Sequence, residues 1–238
     1  LRRVRAHKAN WLDVFRHYHS FSATLLDRTY FLRGRHDLFD IRVHGAEIIQ
    51  RMAERGQGCL LLGSHLGSFD VMRAMGIMQQ RLPIKVLMYE ENAKKINSVL
   101  NAINPGLADS VIAIGSPDAL LKVKEETDRG TLVGILGDRV MFDDKLVSAT
   151  FLGSEAIFPG GPMLLASALK VPVVLCFGLY RGGNRYDIHL ELLAERIETS
   201  RRDREQAVTY WTRKYVERLE HYCRLAPYNW FNFYMYWV

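Results

Sequence analysis

The residues best placed for chemistry in this sequence are a histidine and an aspartate that follows it by five positions, His65 and Asp70. They come after the apolar run 58–62, which predicts a buried strand, and a helical pattern of apolar residues covers 69–80. An imidazole titrates near neutral pH, so it can take a proton from a hydroxyl group. A carboxylate at the other ring nitrogen would fix its tautomer. We therefore predict that His65 is a general base oriented by Asp70, on the turn between the strand and the helix.

Structural roles are the alternative for this pair. His65 could be a buried histidine with satisfied hydrogen bonds, and Asp70 could interact with the dipole at a helix start. Polar clusters after two other predicted strands favour the catalytic interpretation: Tyr89, Glu90, Glu91 and Asn92 follow strand 84–89, and Asp138 and Arg139 follow strand 131–136. Because the carboxyl ends of parallel strands share one edge of a sheet, the three clusters are expected to converge there. A local ion pair is the alternative for Asp138 and Arg139.

Strands and helices alternate along the chain, which predicts an α/β fold with a mostly parallel or mixed central sheet and helices on both faces. The predicted strands are 58–62, 84–89, 111–115, 131–136, 171–180 and 186–193, the last of them antiparallel to its predecessor. The predicted helices are 11–32, 44–55, 69–80, 91–103, 117–129, 163–169 and 204–224.

The chain has 238 residues, 48% of them hydrophobic, which is enough for one large core. Residues 43–238 are expected to form a single α/β domain. No linker-like segment or internal repeat divides it. The preceding segment 1–42 is basic at its start and aromatic from Trp11 onward, so it is either an interfacial membrane helix or a helix packed on the core. The uncharged aromatic tail 225–238 is expected to lie against the domain or at a lipid–water interface.

Charge and composition narrow the function classes. A net charge of +6 and a pI near 9.3 suit an anionic membrane surface or an acidic protein partner. No nucleic-acid-binding motif accompanies that charge, so no nucleic-acid partner is expected. A serine-hydrolase elbow, a P-loop and a dinucleotide fingerprint are all missing. Widely spaced cysteines and poorly spaced histidines predict neither a disulfide nor a metal site, and they favour a reducing compartment. No stretch has the roughly 20 apolar residues of a membrane span, and an anchor upstream of Leu1 is compatible with the sequence.

The block 63–70, Gly-Ser-His-Leu-Gly-Ser-Phe-Asp, resembles the His-x4-Asp/Glu signature of the lysophospholipid acyltransferase superfamily. Four further blocks occur in the order found in its bacterial branch, the lipid A late acyltransferases (lauroyl and myristoyl transferases): 137–139, 151–153, 156–162 and 171–174. The resemblance covers about 43 to about 195, and it implies the α/β fold of that superfamily and an acyltransferase activity.

By this resemblance, His65 would deprotonate an acceptor hydroxyl and Asp70 would orient it, and no covalent acyl-enzyme is expected. The hydroxyl oxygen would attack the thioester of acyl carrier protein or coenzyme A, which serves as donor substrate, and no bound cofactor is implied. Backbone N–H groups near Gly67 or the guanidinium of Arg139 are the candidate donors to the oxyanion. The expected substrate-binding residues are Ser64, Gly67, Tyr89, Glu90, Asn92, Asp138, Arg139 and Gly160.

The resemblance also implies a place and partners: the cytoplasmic face of a bacterial inner membrane, acyl carrier protein, and a membrane lipid as acceptor. The run 90–92 is acidic where the lipid A enzymes carry an arginine, which argues against a phosphorylated disaccharide acceptor. The tail segment 227–234 resembles relatives from pigment-lipid pathways of the aryl polyene or flexirubin type. A basic membrane-surface adaptor that binds lipid or an acidic carrier protein without catalysis is the alternative function.

Overall fold

The central element of the fold is a strand, β2 (Cys59–Gly63), in which all five residues are buried. In the computed structural model, which describes residues 1–5, 8–72, 83–89, 110–115, 118–141, 145–200 and 202–237, β2 lies in the middle of a seven-stranded sheet. The other strands of this sheet are β1 (Asp40–His44), β3 (Ile84–Tyr89), β4 (Val111–Ile114), β5 (Leu132–Leu136), β8 (Val173–Tyr180) and β9 (Arg185–Ala194). A separate hairpin consists of β6 (Leu146–Phe151) and β7 (Ser154–Pro159).

The strand order in the sheet is β1-β9-β8-β2-β5-β3-β4. All neighbouring strands are parallel except β8 and β9, which are antiparallel as the sequence predicted. The carboxyl ends of β2, β3, β5 and β8 therefore meet at one edge. Strand β1 was not predicted, because its residues alternate between exposed and half-buried and form no apolar run.

The helices are α1 (Arg2–Arg5), α2 (Trp11–Leu32), α3 (Ala46–Glu54), α4 (Ala119–Asp128), α5 (Gly161–Leu169) and α6 (Arg204–Leu225), and a 3-10 turn covers His36–Leu38. A further helical turn begins at Asp70 and is described as far as Met72. The rest of the predicted helix 69–80 and all of the predicted helix 91–103 lie outside the described residues.

Side chains of β2 alternate between the two faces of the sheet, and each face has its own apolar core. Leu60 and Leu62 pack in the cluster that contains Tyr215 of α6 and both hairpin strands. Leu61 belongs to the other cluster, with residues of α2 and α3 such as Phe31. Each buried leucine contributes roughly 1.5–3 kcal/mol relative to an exposed one. The prediction of helices on both faces is confirmed, and β2 is held from both sides.

Along its first four turns, helix α2 buries a stripe of polar side chains and exposes most of its large apolar ones. Asn10 caps it with a capping box that involves Asp13. Its buried stripe is mainly polar, with Asp13, His17, Ser20 and Thr24 at helical spacing. Its exposed side chains include Trp11, Phe15, Tyr18, Leu25 and Leu26. None of the helices in the described ranges combines the length and the apolar character needed to cross a bilayer.

Candidate active site

The loop that carries His65 is held in place because its backbone packs closely against the backbone of β8. His65 lies two residues beyond the end of β2, with 30% of its side chain exposed. At Gly67 the backbone has a φ of +72°, and a Cβ there would lie 2.0 Å from the carbonyl oxygen of Gly178 in β8. Only glycine fits such a position without strain. The next N–H, that of Ser68, donates to the same carbonyl oxygen at 2.8 Å, so the loop is anchored on the end of β8.

Asp138 holds the imidazole of His65. It lies two residues beyond the end of β5, the strand beside β2, and it is fully buried. The two strands pair in parallel with Gly63 opposite Leu136, which places the residues two positions beyond each strand side by side. Nδ1 of His65 lies 2.8 Å from Oδ1 of Asp138, and the backbone N–H of His65 donates to Oδ2 at 3.0 Å. The predicted convergence of these two residues at the strand ends is confirmed.

The carboxylate at Nδ1 of His65 is therefore that of Asp138, whereas the sequence predicted Asp70 as the partner of this histidine. Asp70 begins the helical turn after the loop, and its Oδ2 forms an ion pair of 3.1 Å with Nε of Arg28 in α2. The strand register brings position 138 to Nδ1, whereas sequence proximity alone suggested position 70.

The C-terminal tail completes the surroundings of Asp138. Its Oδ2 also accepts hydrogen bonds from the indole N–H of Trp230 at 3.0 Å and from the side-chain amide of Asn232 at 3.1 Å. The tail pairs with the loop through an antiparallel bridge between Leu66 and Trp230. Within this bridge, Phe231 N–H donates to the carbonyl oxygen of His65 at 2.7 Å. The tail lies against the domain, which is one of the two places predicted for it.

Sequence reasoning missed Trp230 and Asn232 as parts of the site. A signal for them was present, because an amide and an indole N–H in an uncharged aromatic tail need hydrogen-bond partners once buried. Trp230 is 8% exposed and Asn229 is 4% exposed. The buried side chain of Asn229 is also hydrogen-bonded, because its Oδ1 accepts a hydrogen bond from the backbone N–H of Tyr180 at 2.7 Å.

The environment of Asp138 favours its charged form. Burial by itself would raise the pKa of this carboxyl group, but the hydrogen bonds from His65 and Trp230 and the charge of His65 outweigh it, and the pKa is lowered from 3.8. An ionised carboxylate only accepts hydrogen bonds, so Nδ1 of His65 carries a proton, and in the neutral form of the ring the lone pair is on Nε2. The pair is thus set up with a basic nitrogen at Nε2.

Arg139 is tied to the tail beside this pair. Its Nε donates to Oδ1 of Asn232 at 2.8 Å, and its Nη2 donates to the carbonyl oxygen of Phe231 at 2.9 Å. A guanidinium has five N–H donors, and these contacts use two of them. The other predicted oxyanion donor needs a correction, because the N–H of Gly67 already donates to the carbonyl oxygen of Asn229 at 2.8 Å.

Three of the other predicted substrate-binding residues lie within the described ranges: Ser64, Tyr89 and Gly160. Ser64 is buried beside His65, and its Oγ has no hydrogen-bond partner within the described ranges. Tyr89 is half-buried at the end of β3. Gly160 is buried at the start of α5, where a Cβ would lie 2.8 Å from Val208 of α6, so its described contact is one of packing. Glu90 and Asn92 lie outside the described residues.

The fold and the site together define a class of protein, an α/β protein with a histidine hydrogen-bonded to a buried carboxylate at the carboxyl edge of its sheet. The sequence model of the family described as bacterial lipid A biosynthesis acyltransferase matches residues 27–237, which is most of the chain. No curated protein matches the chain. The chain belongs to this acyltransferase family, as the resemblance implied.

Proposed function

We propose that this protein transfers a fatty-acyl chain from an acyl thioester to a hydroxyl group of a lipid or glycolipid, with His65 as general base and Asp138 as its orienting partner. Family membership supports acyl transfer to a lipid. The observation that carries the finer proposal is the 2.8 Å contact between Nδ1 of His65 and Oδ1 of Asp138. It leaves Nε2 as the basic atom on a side chain that is partly open to solvent.

The reaction follows from this geometry. Nε2 of His65 takes the proton of the acceptor hydroxyl while its oxygen attacks the thioester carbonyl carbon. The imidazolium that forms is stabilised by the Asp138 carboxylate. When the tetrahedral intermediate collapses, the C–S bond breaks, and the imidazolium returns the proton to the departing thiolate. The unused N–H groups of Arg139 are the proposed donors to the oxyanion.

The charge of the chain supports an acidic donor. Acyl carrier protein and coenzyme A are both anionic, and a net charge of +6 favours their encounter with the protein. Of the two donors, acyl carrier protein is the one implied by the bacterial branch that the sequence resembles. We keep it as the proposed protein partner.

The outward face of α2 supports docking on the cytoplasmic face of a bacterial inner membrane. Trp11 is 74% exposed, Phe15 60% and Leu26 59%, so an apolar surface is presented to the surroundings. Basic residues of α1 precede it in the chain. Aromatic and aliphatic side chains next to cations are the composition of an interfacial helix on anionic lipid. A lipid acceptor would reach the site from the same surface.

An aryl polyene-type chain on donor or acceptor is a narrower proposal with less support. Aromatic side chains of the tail would have to stack on such a chain, but Trp230 and Phe231 are buried in the domain. Phe233 and Tyr234 are the tail aromatics with large exposed areas, at 46% and 51%. A saturated fatty-acyl donor is therefore the first one to test.

The experiment is an acyl-transfer assay with purified protein, acyl carrier protein loaded with a defined fatty acid, and vesicles made from bacterial lipid extract. Mass spectrometry of the lipids identifies the acylated product. His65→Ala is expected to abolish turnover and to keep vesicle binding, and His221→Ala, at an exposed histidine on α6, serves as the matched control. Full activity in a folded His65→Ala variant would refute the proposal. Vesicle binding without turnover in the unmodified protein would favour the adaptor.

A further inference from the structure

Two histidines face each other on neighbouring strands at the β1 edge of the sheet. Strands β1 and β9 are parallel, and their register places His44 opposite His189. The two imidazole rings are stacked, with centroids 4.5 Å apart and an interplanar angle of 9°. Asp187 precedes His189 by two positions and so lies on the same face of the strand. Strand β8 separates this group from β2.

We propose that His44, His189 and Asp187 bind a divalent transition-metal ion such as Zn²⁺. Each side chain offers one ligand atom, and these atoms all lie within 4.8 Å of one another. In a tetrahedral zinc site, neighbouring ligand atoms are roughly 3.3 Å apart, with Zn–N and Zn–O distances of about 2.1 Å. Small side-chain rotations would therefore bring the three ligand atoms into contact with one ion. The proposal is independent of the acyl-transfer chemistry.

The ring of His189 is held in place by its neighbours in the sheet and in α6. The ring of Tyr222 in α6 lies 4.9 Å from the ring of His189 and limits how it can move.

The neighbouring charged groups define which residues can be ligands. Both carboxylate oxygens of Glu191 accept hydrogen bonds from Arg218 at 2.7 Å, so Glu191 is committed elsewhere. Asp187 has one ion pair, with Nε of Arg181 at 3.2 Å. This guanidinium competes with a metal ion for Asp187. Since His44 is exposed, the fourth coordination position of the ion would be open to water.

The donor set selects the class of ion. Two imidazole nitrogens and one carboxylate oxygen suit Zn²⁺, Ni²⁺ or Cu²⁺, whereas Mg²⁺ and Ca²⁺ prefer oxygen ligands. An ion bound here would tie β1, an edge strand of five residues, to β9. Binding to the folded chain alone would stabilise the fold in proportion to the affinity.

The test is a calorimetric titration of Zn²⁺ into the full chain, produced without a histidine tag and treated with a chelator. One site per chain with a Kd of micromolar order or tighter is expected, together with four-coordinate visible absorption bands when Co²⁺ is the probe. His44→Gln and His189→Gln should each weaken Zn²⁺ binding by at least about 10–100-fold. Loss of a group that only hydrogen-bonds to a metal ligand already has an effect of that size. His19→Gln should leave Zn²⁺ binding unchanged, and Mg²⁺ should not bind.

Thermal melting in the absence of metal would show whether the two histidine variants fold. If they fold poorly, a further variant still tests the proposal. Arg181→Gln removes the competitor for Asp187 and is expected to tighten Zn²⁺ binding several-fold. The proposal is overturned if Zn²⁺ does not bind, if His44→Gln and His189→Gln bind it as well as the unmodified chain, or if Arg181→Gln weakens binding.

Discussion

Replacement of Asp138 by asparagine is the sharpest test of the proposed site, because the structure predicts which way the new amide will face. In the native site, Oδ1 accepts from the ring of His65, and Oδ2 accepts from three donors: His65 N–H, the indole of Trp230 and the amide of Asn232. An asparagine has one oxygen and one NH₂ group. An NH₂ group in place of Oδ2 would confront three donors, each conflict costing about 1–3 kcal/mol. The amide should therefore place its oxygen towards the three donors and its NH₂ towards Nδ1.

This orientation forces His65 into the wrong tautomer. Nδ1 must then accept a hydrogen bond, so the proton moves to Nε2 and the base is lost at the atom that faces substrate. The equivalent change in the serine-protease triad lowers kcat by about 10⁴-fold. We expect Asp138→Asn to lower kcat by about 10³–10⁴-fold, with a much smaller change in KM, as measured by the acyl-transfer assay on folded protein.

The matched control is Asp70→Asn, the same substitution at the carboxylate that sequence proximity favoured. Asp70 pairs with Arg28, so we expect its loss to cost stability and to reduce kcat by less than tenfold. Activity within tenfold of the unmodified protein in a folded Asp138→Asn variant would refute the assignment. A large loss in Asp70→Asn and none in Asp138→Asn would restore the pairing predicted from the sequence.

Three further predictions address stability and membrane binding. The folded-state pKa of Asp138 is lowered, so the contribution of this carboxylate to stability is complete above the ordinary value of 3.8 and is lost as pH falls through the folded-state pKa. Denaturant unfolding should therefore show a difference in stability between the unmodified protein and Asp138→Asn that is constant from pH 7 to 5 and shrinks below pH 3.8. A difference that grows below pH 3.8 would contradict an ionised carboxylate. Gly67→Ala should lower the free energy of unfolding by several kcal/mol, as measured by thermal melting, because it combines a positive φ with a Cβ 2.0 Å from a carbonyl oxygen. Gly34→Ala, at a φ of +73° with open space around it, should lower it by about 1 kcal/mol. Equal losses would show that the close approach of Gly67 to the carbonyl oxygen does not matter. Trp11→Ser should weaken binding to anionic vesicles by about 10–100-fold, in line with the roughly 1.5–3 kcal/mol for burying a large apolar side chain. Leu121→Ser, on the exposed face of α4, should leave binding unchanged, and the same effect from both would argue against docking through α2.

The sequence determined those parts of the fold that depend on neighbouring residues. The apolar run of β2 and the helical patterns of α2 and α6 were all recognised within windows of a few turns. Their local preferences agree with the final structure, so element type and order were predictable. Strand β1 and the hairpin strands β6 and β7 were missed. The alternating, half-buried residues of β1 carry only a weak local signal.

The position of His65 at a strand end was predictable from the sequence, and so was the selection of Asp138 as a polar residue at the same edge. Their direct contact was not predictable, because it depends on the register between β2 and β5, which are far apart in the chain. A single sequence contains no information on register beyond the hydrophobic pattern, and two uninterrupted apolar strands leave that register open.

The tertiary structure alone decided how the site is held. Trp230 and Asn232 come from the far end of the chain and donate to a carboxylate that would be costly to bury without them. The inward polar face of α2 has the same origin, since His17 bonds through Nδ1 to the carbonyl oxygen of Tyr228 in the tail at 3.0 Å. Local sequence fixes the strands and helices because their hydrogen bonds are short-range. The hydrogen-bond partners of a buried charge depend on the folded structure. Removal of the charge from water is costly, so donors that are close in space stabilise it even when they are distant in sequence.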